Sequence, residues 1–477
     1  MTTAENTAAG LMSSQLLEKL QNYKGAQDWD GVAETLVSYK EHVGEDPNYL
    51  AYASNLAFQN RDMDRVRECN AKILELNPND YWSHYRLGDA ELASDNIDAA
   101  FTHFSAAKKV GQTAPHAIER LAKILVSRGE LDLATTELRN SIAVNPDHLW
   151  SVLRLVRIEN ALGHYDEALR IIAENRNAIG NHAEPNLAAV EAEIRRNAAF
   201  EASIKANFDA INDIMGGTTI TDVGAADGLF WKFTIMARLG IINGVGFEPD
   251  AFEVGTLNTL YPYVKFIPIA IGAKKGKAKF RMAENMPCSS LREPDMDVLG
   301  RFPIRSCFAT KREFDIEVDT LNAGLKSAGI THIDFLKVDV QGAENDILKG
   351  AGSLLKTMLA IELETHILPL YKGEDVLWKL IATLAEHKFR VRGLAPQGSF
   401  EGEVVEVEAF FGKDFSDLSD KQIQQIFIWE AISDCPQLPF MADDKGLDRY
   451  PHLAKTVSQR DKDLADLRVT TRALLGL

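Results

Sequence analysis

The 477-residue sequence has few cysteines: Cys69, Cys288, Cys307 and Cys435 lie far apart and form no C-x-x-C pair. That spacing is poor as a zinc or disulfide framework and reads as reduced thiols in an intracellular, cytoplasmic protein. Basic residues are in deficit too, with 52 Lys and Arg against 69 Asp and Glu, a net charge of −17. Such a balance repels nucleic-acid phosphates and anionic bilayers, so no nucleic-acid partner is expected. Long apolar runs are missing. The stretch Leu229–Ile242 is broken by Lys232 and Arg238, short of the ~20 clean residues of a membrane span. Glu5 precedes any basic residue, so the N-terminal stretch fails as a secretory signal. What is present is globular: 45% hydrophobic and 25% charged residues. The length suggests about two to four domains.

The first part of the chain is periodic. Asp30, Asp64, Asp98, Asp132 and Asp166 are spaced by 34 residues, each preceded by a large apolar residue (Trp29, Met63, Ile97, Leu131, Tyr165). Two positions after each aspartate stands Val32, Val66, Ala100, Ala134 or Ala168, while Leu87, Leu121 and Leu155 repeat at the same period. The pattern suits stacked helix pairs, with each Asp capping the second helix and the small residue admitting a neighbouring helix. Gly129 and Gly163 fall at the turns between helices, and Pro78 and Pro146 at the ends of units. The period, together with GHYDEALRII (163–172) and ILELNPND (73–80), resembles the tetratricopeptide repeat, although Val replaces Ala in the first two units and the turn glycine is replaced in three of five. Such an array presents a concave surface for a protein or peptide partner. Packing against the next domain or a homodimer contact is the alternative.

From about residue 215 short β-branched runs alternate with helical stretches, the pattern of a parallel sheet with crossovers. Strands are expected at Thr218–Val223, Asn243–Phe247, Val264–Ile269, Ile333–Val338, Met358–Leu363 and Phe389–Leu394. Helices are expected near Phe230–Leu239, Ala251–Leu260, Ala343–Leu355 and Asp375–His387. The fold class is therefore α plus α/β: an N-terminal helical solenoid over residues 1–200, a Rossmann-like doubly wound domain over 205–432, and a tail with a helix over 433–477.

The first strand runs into T-D-V-G-A-A-D-G-L-F (221–230), and Glu248 follows the second strand in G-V-G-F-E-P-D. A glycine turn with an acid at the next strand end marks an adenosine-type cofactor, the acid accepting ribose hydroxyls. Ala226 stands where G-x-G-x-x-G has its middle glycine, which disfavours a pyrophosphate and NAD. S-adenosylmethionine has no pyrophosphate and fits better. The candidate cofactor residues are Asp222, Gly224, Ala225, Ala226, Asp227, Gly228, Glu248, Pro249, Ile269 and Asp339. A purely structural tight turn is the other reading of the glycines.

The blocks D-V-G-A-A-D-G, G-F-E-P-D, A-I-G-A-K-K-G and I-D-F-L-K-V-D-V-Q-G-A-E-N-D-I-L-K-G-A occur in that order. Over about residues 205–395 the chain resembles the FkbM-type family of S-adenosylmethionine-dependent methyltransferases. The resemblance implies methyl transfer, commonly to a hydroxyl oxygen of a sugar or other secondary metabolite. The family block commonly reads D-V-E-G-A-E, and here Gln341 replaces the first Glu. That departure favours an alternative in which the chain is an interaction scaffold with a non-catalytic methyltransferase-like domain. A glycosyltransferase fused to repeats is a further possibility, which leaves Glu248 unexplained.

Methyl transfer needs in-line approach and removal of the acceptor proton. The candidate catalytic residues are Asp339, Glu344 and His366, with a helix N-cap, a first-turn helix carboxylate and a solvated loop histidine as their respective structural alternatives. Glu362 and Glu364 in E-L-E-T-H (362–366) suggest that this strand opens on the cleft, because a fully covered parallel strand is apolar. Asp339, Glu364 and His366 do not have a diagnostic metal spacing, and no metal is expected. The basic segment 273–281 reads as a hairpin tip, either solvated or receiving an anionic group of the acceptor. Residues 286–291 and the loop to Arg305 are placed to cover the acceptor. The segment 417–432 reads as helix turning into a last strand. From Tyr450, the residues Leu453, Val457, Leu464, Leu467 and Leu474 suggest an amphipathic helix docked on another domain or subunit.

Overall fold

The structure, a computed structural model, describes residues 18–23, 28–43, 46–111, 115–400, 402–436 and 457–475. It divides into two compact units, Met1–Glu191 and Ala192–Leu477.

In the first unit both helices of each repeat keep strict register. One set runs Trp29–Val43, Met63–Leu76, Ile97–Val110, Leu131–Val144 and Tyr165–Ile179. The other runs Pro47–Gln59, Tyr81–Ala93, Pro115–Ser127 and Leu149–Ala161. Val32, Val66, Ala100, Ala134 and Ala168 are all completely buried, so the small side chain lies where neighbouring helices approach. The periodic aspartates differ from expectation. Each is the second residue of its helix, and the capping positions before Met63, Ile97, Leu131 and Tyr165 are Asp62, Asn96, Glu130 and His164. The large apolar residue already has helical geometry, which moves the aspartate inside the first turn, where its charge complements the helix dipole. The turns before these caps are left-handed at Arg61 (φ 59°), Asp95 (φ 62°), Gly129 (φ 80°) and Gly163 (φ 81°). The backbone is thus retained where the glycine is not. Successive units are also tied by arginines 34 residues apart: Arg86 donates to Asn55, Arg120 to Asp89 and Arg154 to Glu119, each over 2.9 Å.

The second unit is built on a seven-stranded sheet. Its strands are β1 (Thr218–Val223), β2 (Ile242–Phe247), β3 (Val264–Ile267), β7 (Phe335–Val338), β8 (Ala360–His366), β9 (Phe389–Phe400) and β10 (Glu403–Lys413), in the order β3-β2-β1-β7-β8-β10-β9. The first five are parallel, and β10 joins β8 and β9 antiparallel. Side chains alternate between two apolar layers. Ile220, Phe335 and Ala360 face Phe233, Met236 and Trp429, while Val223, Leu336 and Ile361 face Ile347, Leu348 and Leu380. Trp429 stacks at 4.7 Å on Phe335 and 4.8 Å on Phe233. The connection reverses at β1, whose two neighbours are β2 and β7, and a doubly wound sheet binds ligands at the strand ends beside such a point.

Two expectations are corrected. The basic segment 273–281 is not a hairpin tip: β5 (Gly276–Ala283) pairs antiparallel with the distant β6 (Thr310–Asp319), which also pairs with β4 (Ala270–Ile271) in a separate three-stranded sheet. Its charges meet an acidic partner strand, Lys275 to Asp319 and Lys277 to Glu317 at 3.4 Å and Arg281 to Glu313 at 3.0 Å. Segment 417–432 contains no strand. Asp420–Ile432 is one helix, started by a capping box between Ser419 and Gln422 and buried along much of its length. The sheet is instead completed by β10, whose alternating E-V-V-E-V-E was the unread signal. The C-terminal helix is Gln459–Ala473. Leu464 and Leu467 pack with Ile423 and Phe427 of the Asp420–Ile432 helix, within the same unit. Tyr450 and Leu453 lie outside the described residues.

Candidate active site

The ends of β1 and β2 are joined before any side chain is considered. The amides of Gly224 and Ala225 both donate to the carbonyl of Phe247, the last residue of β2, at 3.0 and 3.1 Å. On the other side the Asp339 amide donates to Val223 at 3.0 Å. Gly224 has φ 96° and Gly228 φ 90°, conformations that favour glycine. A side chain at 224 is excluded twice, because its Cβ would lie 1.9 Å from the Asp339 carbonyl oxygen. The turn therefore brings Asp222, Gly224, Glu248 and Asp339 to one end of the sheet. Ala225 is buried beneath it, whereas Ala226 and Asp227 are exposed.

Glu248 is nearly buried, and its Oε1 accepts from the Asp250 amide at 2.9 Å. Burial, only partly offset by that amide, pushes its carboxyl up to about 7. The half-buried Pro249 follows it. Ile269 lies beside it, since the amides of Glu248 and Ile269 share the Ile267 carbonyl, at 3.2 and 2.9 Å. Asp222 is buried with an Oδ1 that has no hydrogen-bond partner. Burial pushes this carboxyl up to about 6 against the pull of Lys337. Asp222 and Lys337 are directly opposite across β1 and β7, and Lys337 is opposite Glu362 across β7 and β8. Burial disfavours the Lys337 charge, but Asp222 and Asp339 outweigh it and raise the ammonium above its usual range. Lys337 was the charge overlooked in the sequence, although a Lys inside F-L-K-V carries the same signal as the glutamates of E-L-E.

A second group of carboxylates lies at the ends of β7, β8 and β10. Gln341, in the turn after β7, donates from Nε2 to Glu364 Oε1 at 3.1 Å and to Asp339 Oδ1 at 3.4 Å. Lys337 Nζ is 3.9 Å from Asp339 Oδ2. Burial, with Asp339 and Glu406 alongside, raises the Glu364 carboxyl well above its usual range, while His366 holds Glu406 below it. Glu344 is fully buried. Its Oε1 accepts from the Gly342 amide at 2.8 Å, closing the turn, and its Oε2 has no partner. Burial, opposed by the His366 charge, moves this carboxyl up to about 7.

His366 departs from the expected loop histidine. It is the last residue of β8 and 1% exposed. Nδ1 is bonded to Glu374 at 2.6 Å, and Nε2 is 3.5 Å from Glu406 Oε1. Burial opposes its charge, but the hydrogen bond to Glu374 and the nearby Glu406 carboxylate prevail and raise the imidazole to about 10. A buried imidazolium has no lone pair to offer an acceptor proton. Glu374 also receives the amides of Leu370 and Tyr371, at 2.9 and 3.1 Å. Neither Glu374, Glu406 nor Tyr371 was legible as a site residue, since a loop and an antiparallel strand supply them. Among the described residues no group of three or more His, Cys, Asp or Glu is arranged to hold a metal ion, and no helix is long and apolar enough to cross a membrane.

Similarity to known proteins is confined to parts of the chain. No curated protein matches it. The MamA protein is 20% identical over 35% of this chain and 96% of its own, with a TM-score of 0.29. A thermophilic TPR protein of Thermus thermophilus is 16% identical over 38% of this chain and 97% of its own, with a TM-score of 0.31. A TehB-like SAM-dependent methyltransferase from Corynebacterium glutamicum is 12% identical over 48% of this chain and all of its own, with a TM-score of 0.24. Residues 222–391, from the buried Asp222 through β8 and its acidic neighbours, match the family model described as the Methyltransferase FkbM domain.

Proposed function

We propose that this domain binds S-adenosylmethionine and catalyses methyl transfer to a hydroxyl oxygen of a sugar-like or related small molecule, with the helical array recruiting a protein or peptide partner or the acceptor. The observation that carries the reading is the meeting of Asp222, the Gly224 turn, Glu248 and Asp339 at adjoining strand ends. The unpartnered Oδ1 of Asp222 suits an ammonium group, and the carboxylate of Glu248 suits the two hydroxyls of a ribose. The turn from Gly224 to Gly228, with Pro249 and Ile269 beside Glu248, would line the same site. When bound, S-adenosylmethionine supplies an electrophilic methyl group on a positively charged sulphur.

Asp339 is the half-buried carboxylate at the junction of the two groups. In this reading it would receive the proton of the acceptor hydroxyl. Glu344 and His366 lie beneath that surface and act by fixing the turn and the loop around it. The carboxyl oxygens of Asp339 and Glu364 favour an acceptor rich in hydroxyl donors. Lys275, Lys277 and Arg281 of the basic segment pair with acids of β6.

A scaffold without turnover is the second reading, and Gln341 favours it. Calorimetry with S-adenosylhomocysteine, followed by transfer of labelled methyl from S-adenosylmethionine into a soluble cell extract, separates the two. Saturable binding with label transfer supports the enzyme, binding without transfer supports the scaffold, and absence of binding overturns the cofactor site.

A further inference from the structure

Gln341 is not a glycine, yet its φ of 58° lies in the left-handed region, a conformation costly for a side chain with a Cβ. The structure holds it there from several directions. Its carbonyl accepts from Ser290 Oγ at 2.6 Å, and its Oε1 lies 3.2 Å from the Tyr371 hydroxyl as the longer arm of a shared, bifurcated bond. The same hydroxyl reaches the Cys288 carbonyl at 2.9 Å, so the 286–291 segment is fastened to the turn after β7. From Gln341 the contacts form a ring. Nε2 reaches Glu364, Glu364 adjoins Glu406, Glu406 faces His366, His366 binds Glu374, and Glu374 receives the amide of Tyr371, whose hydroxyl returns to Gln341.

The chemistry of an amide explains the residue type. Oε1 can only accept, and it shares the Tyr371 proton with the Cys288 carbonyl. Nε2 can only donate, and it does so to Asp339 and Glu364 together. A glutamate at 341 would place a third carboxylate against that pair and remove the donor. We propose that Gln341 is a positioning residue for methyl transfer: held by Ser290 and Tyr371, it fixes Asp339 beside Glu364 where Asp339 can meet the acceptor proton. This rests on the methyltransferase reading. It assigns the departure from D-V-E-G-A-E to the tuning of the acceptor side, where the scaffold reading takes it as lost chemistry.

The groups facing the pair are Lys337 and Asp222 from β7 and β1, Glu362 from β8, Glu406 from β10, and His366 at the end of β8. The test uses the full chain with 13C-labelled Asp and Glu carboxyl carbons, saturated with S-adenosylhomocysteine, with Asp339→Asn and Glu364→Gln identifying the two signals. In Gln341→Leu, which cannot donate, the lower titration step of the pair should rise by about one pH unit. In Gln341→Glu the two steps should move further apart, while S-adenosylhomocysteine affinity changes less than about threefold in both variants. Titration steps that stay where they are in both variants, with the fold intact by circular dichroism, overturn the role of Gln341. Absence of S-adenosylhomocysteine binding by the unsubstituted chain overturns the methyltransferase reading instead. Ser290→Ala, which removes a tether without touching the pair, should give a smaller shift in the direction of Gln341→Leu, and no shift at all would exclude the clamp.

Discussion

Gly224 and Asp339 are locked together at the ends of adjacent strands, with 1.9 Å between the position a Cβ would take on the first and the carbonyl oxygen of the second. Any side chain at 224 must therefore push the two strand ends apart and also adopt φ 96°. Gly224→Ala should lower S-adenosylhomocysteine affinity by roughly a hundredfold, and Gly224→Val further, as measured by calorimetry. Retention of affinity within a factor of about three would show that the turn does not face the cofactor.

The carboxyl of Glu248, pushed up to about 7 by burial, makes cofactor binding pH-dependent. Ribose hydroxyls donate to the charged form, so affinity should rise as pH passes upward through about 7 and fall below it. Calorimetry at pH 6 and pH 8 reads this directly. Glu248→Gln should weaken binding about tenfold or more at pH 8 and flatten the profile, since the amide does not titrate.

His366 and Glu374 form an ion pair with almost no exposure on either side. Glu374→Gln leaves a buried imidazolium short of its partner, and should cost about 3–5 kcal/mol of stability. The sign of the pH effect follows from the raised imidazole. With a folded value of about 10 and an unfolded value near 6.5, the contribution is complete below pH ~6.5 and is lost as pH climbs toward ~10. Denaturant unfolding at pH 6.5, 8 and 9.5 should show the decline in the unsubstituted protein and a flatter course in His366→Gln.

Gly129 and Gly163 occupy left-handed turns with φ 80° and 81°. Replacing either by alanine should destabilise the chain by about 1 kcal/mol, seen as an earlier first transition on thermal unfolding. An unchanged transition would mean that these turns relax at no cost.

The repeat and the parallel strands were legible because local rules decide them. A Val or Ala every 34 residues marks helix contacts, and short β-branched runs mark buried strands. The position of the aspartates was misread because the helix starts at the apolar residue before them, a boundary set by packing more than by the cap. The charged strand β5 was misread because the acids that neutralise it lie some thirty residues further on. Gly224 and Glu248 stood out as a glycine turn followed by an acid at the next strand end, and Asp339 as the acid that follows a strand. His366 stood out as well, but its charge state did not, since it depends on Glu374 and Glu406, which only the loop after β8 and the antiparallel β10 bring to it.

The arginines at 86, 120 and 154 each reach back by one unit. A link of that kind has a direction, and releasing a terminal unit frees its arginine or its acceptor while the links further along stay closed. Opening by loss of terminal units is then cheaper than opening in the middle, where links on both sides must break. Amide hydrogens in Leu121–Leu125 should outlast those near either end of the array, so that the repeats record their order along the chain as a gradient of exchange times.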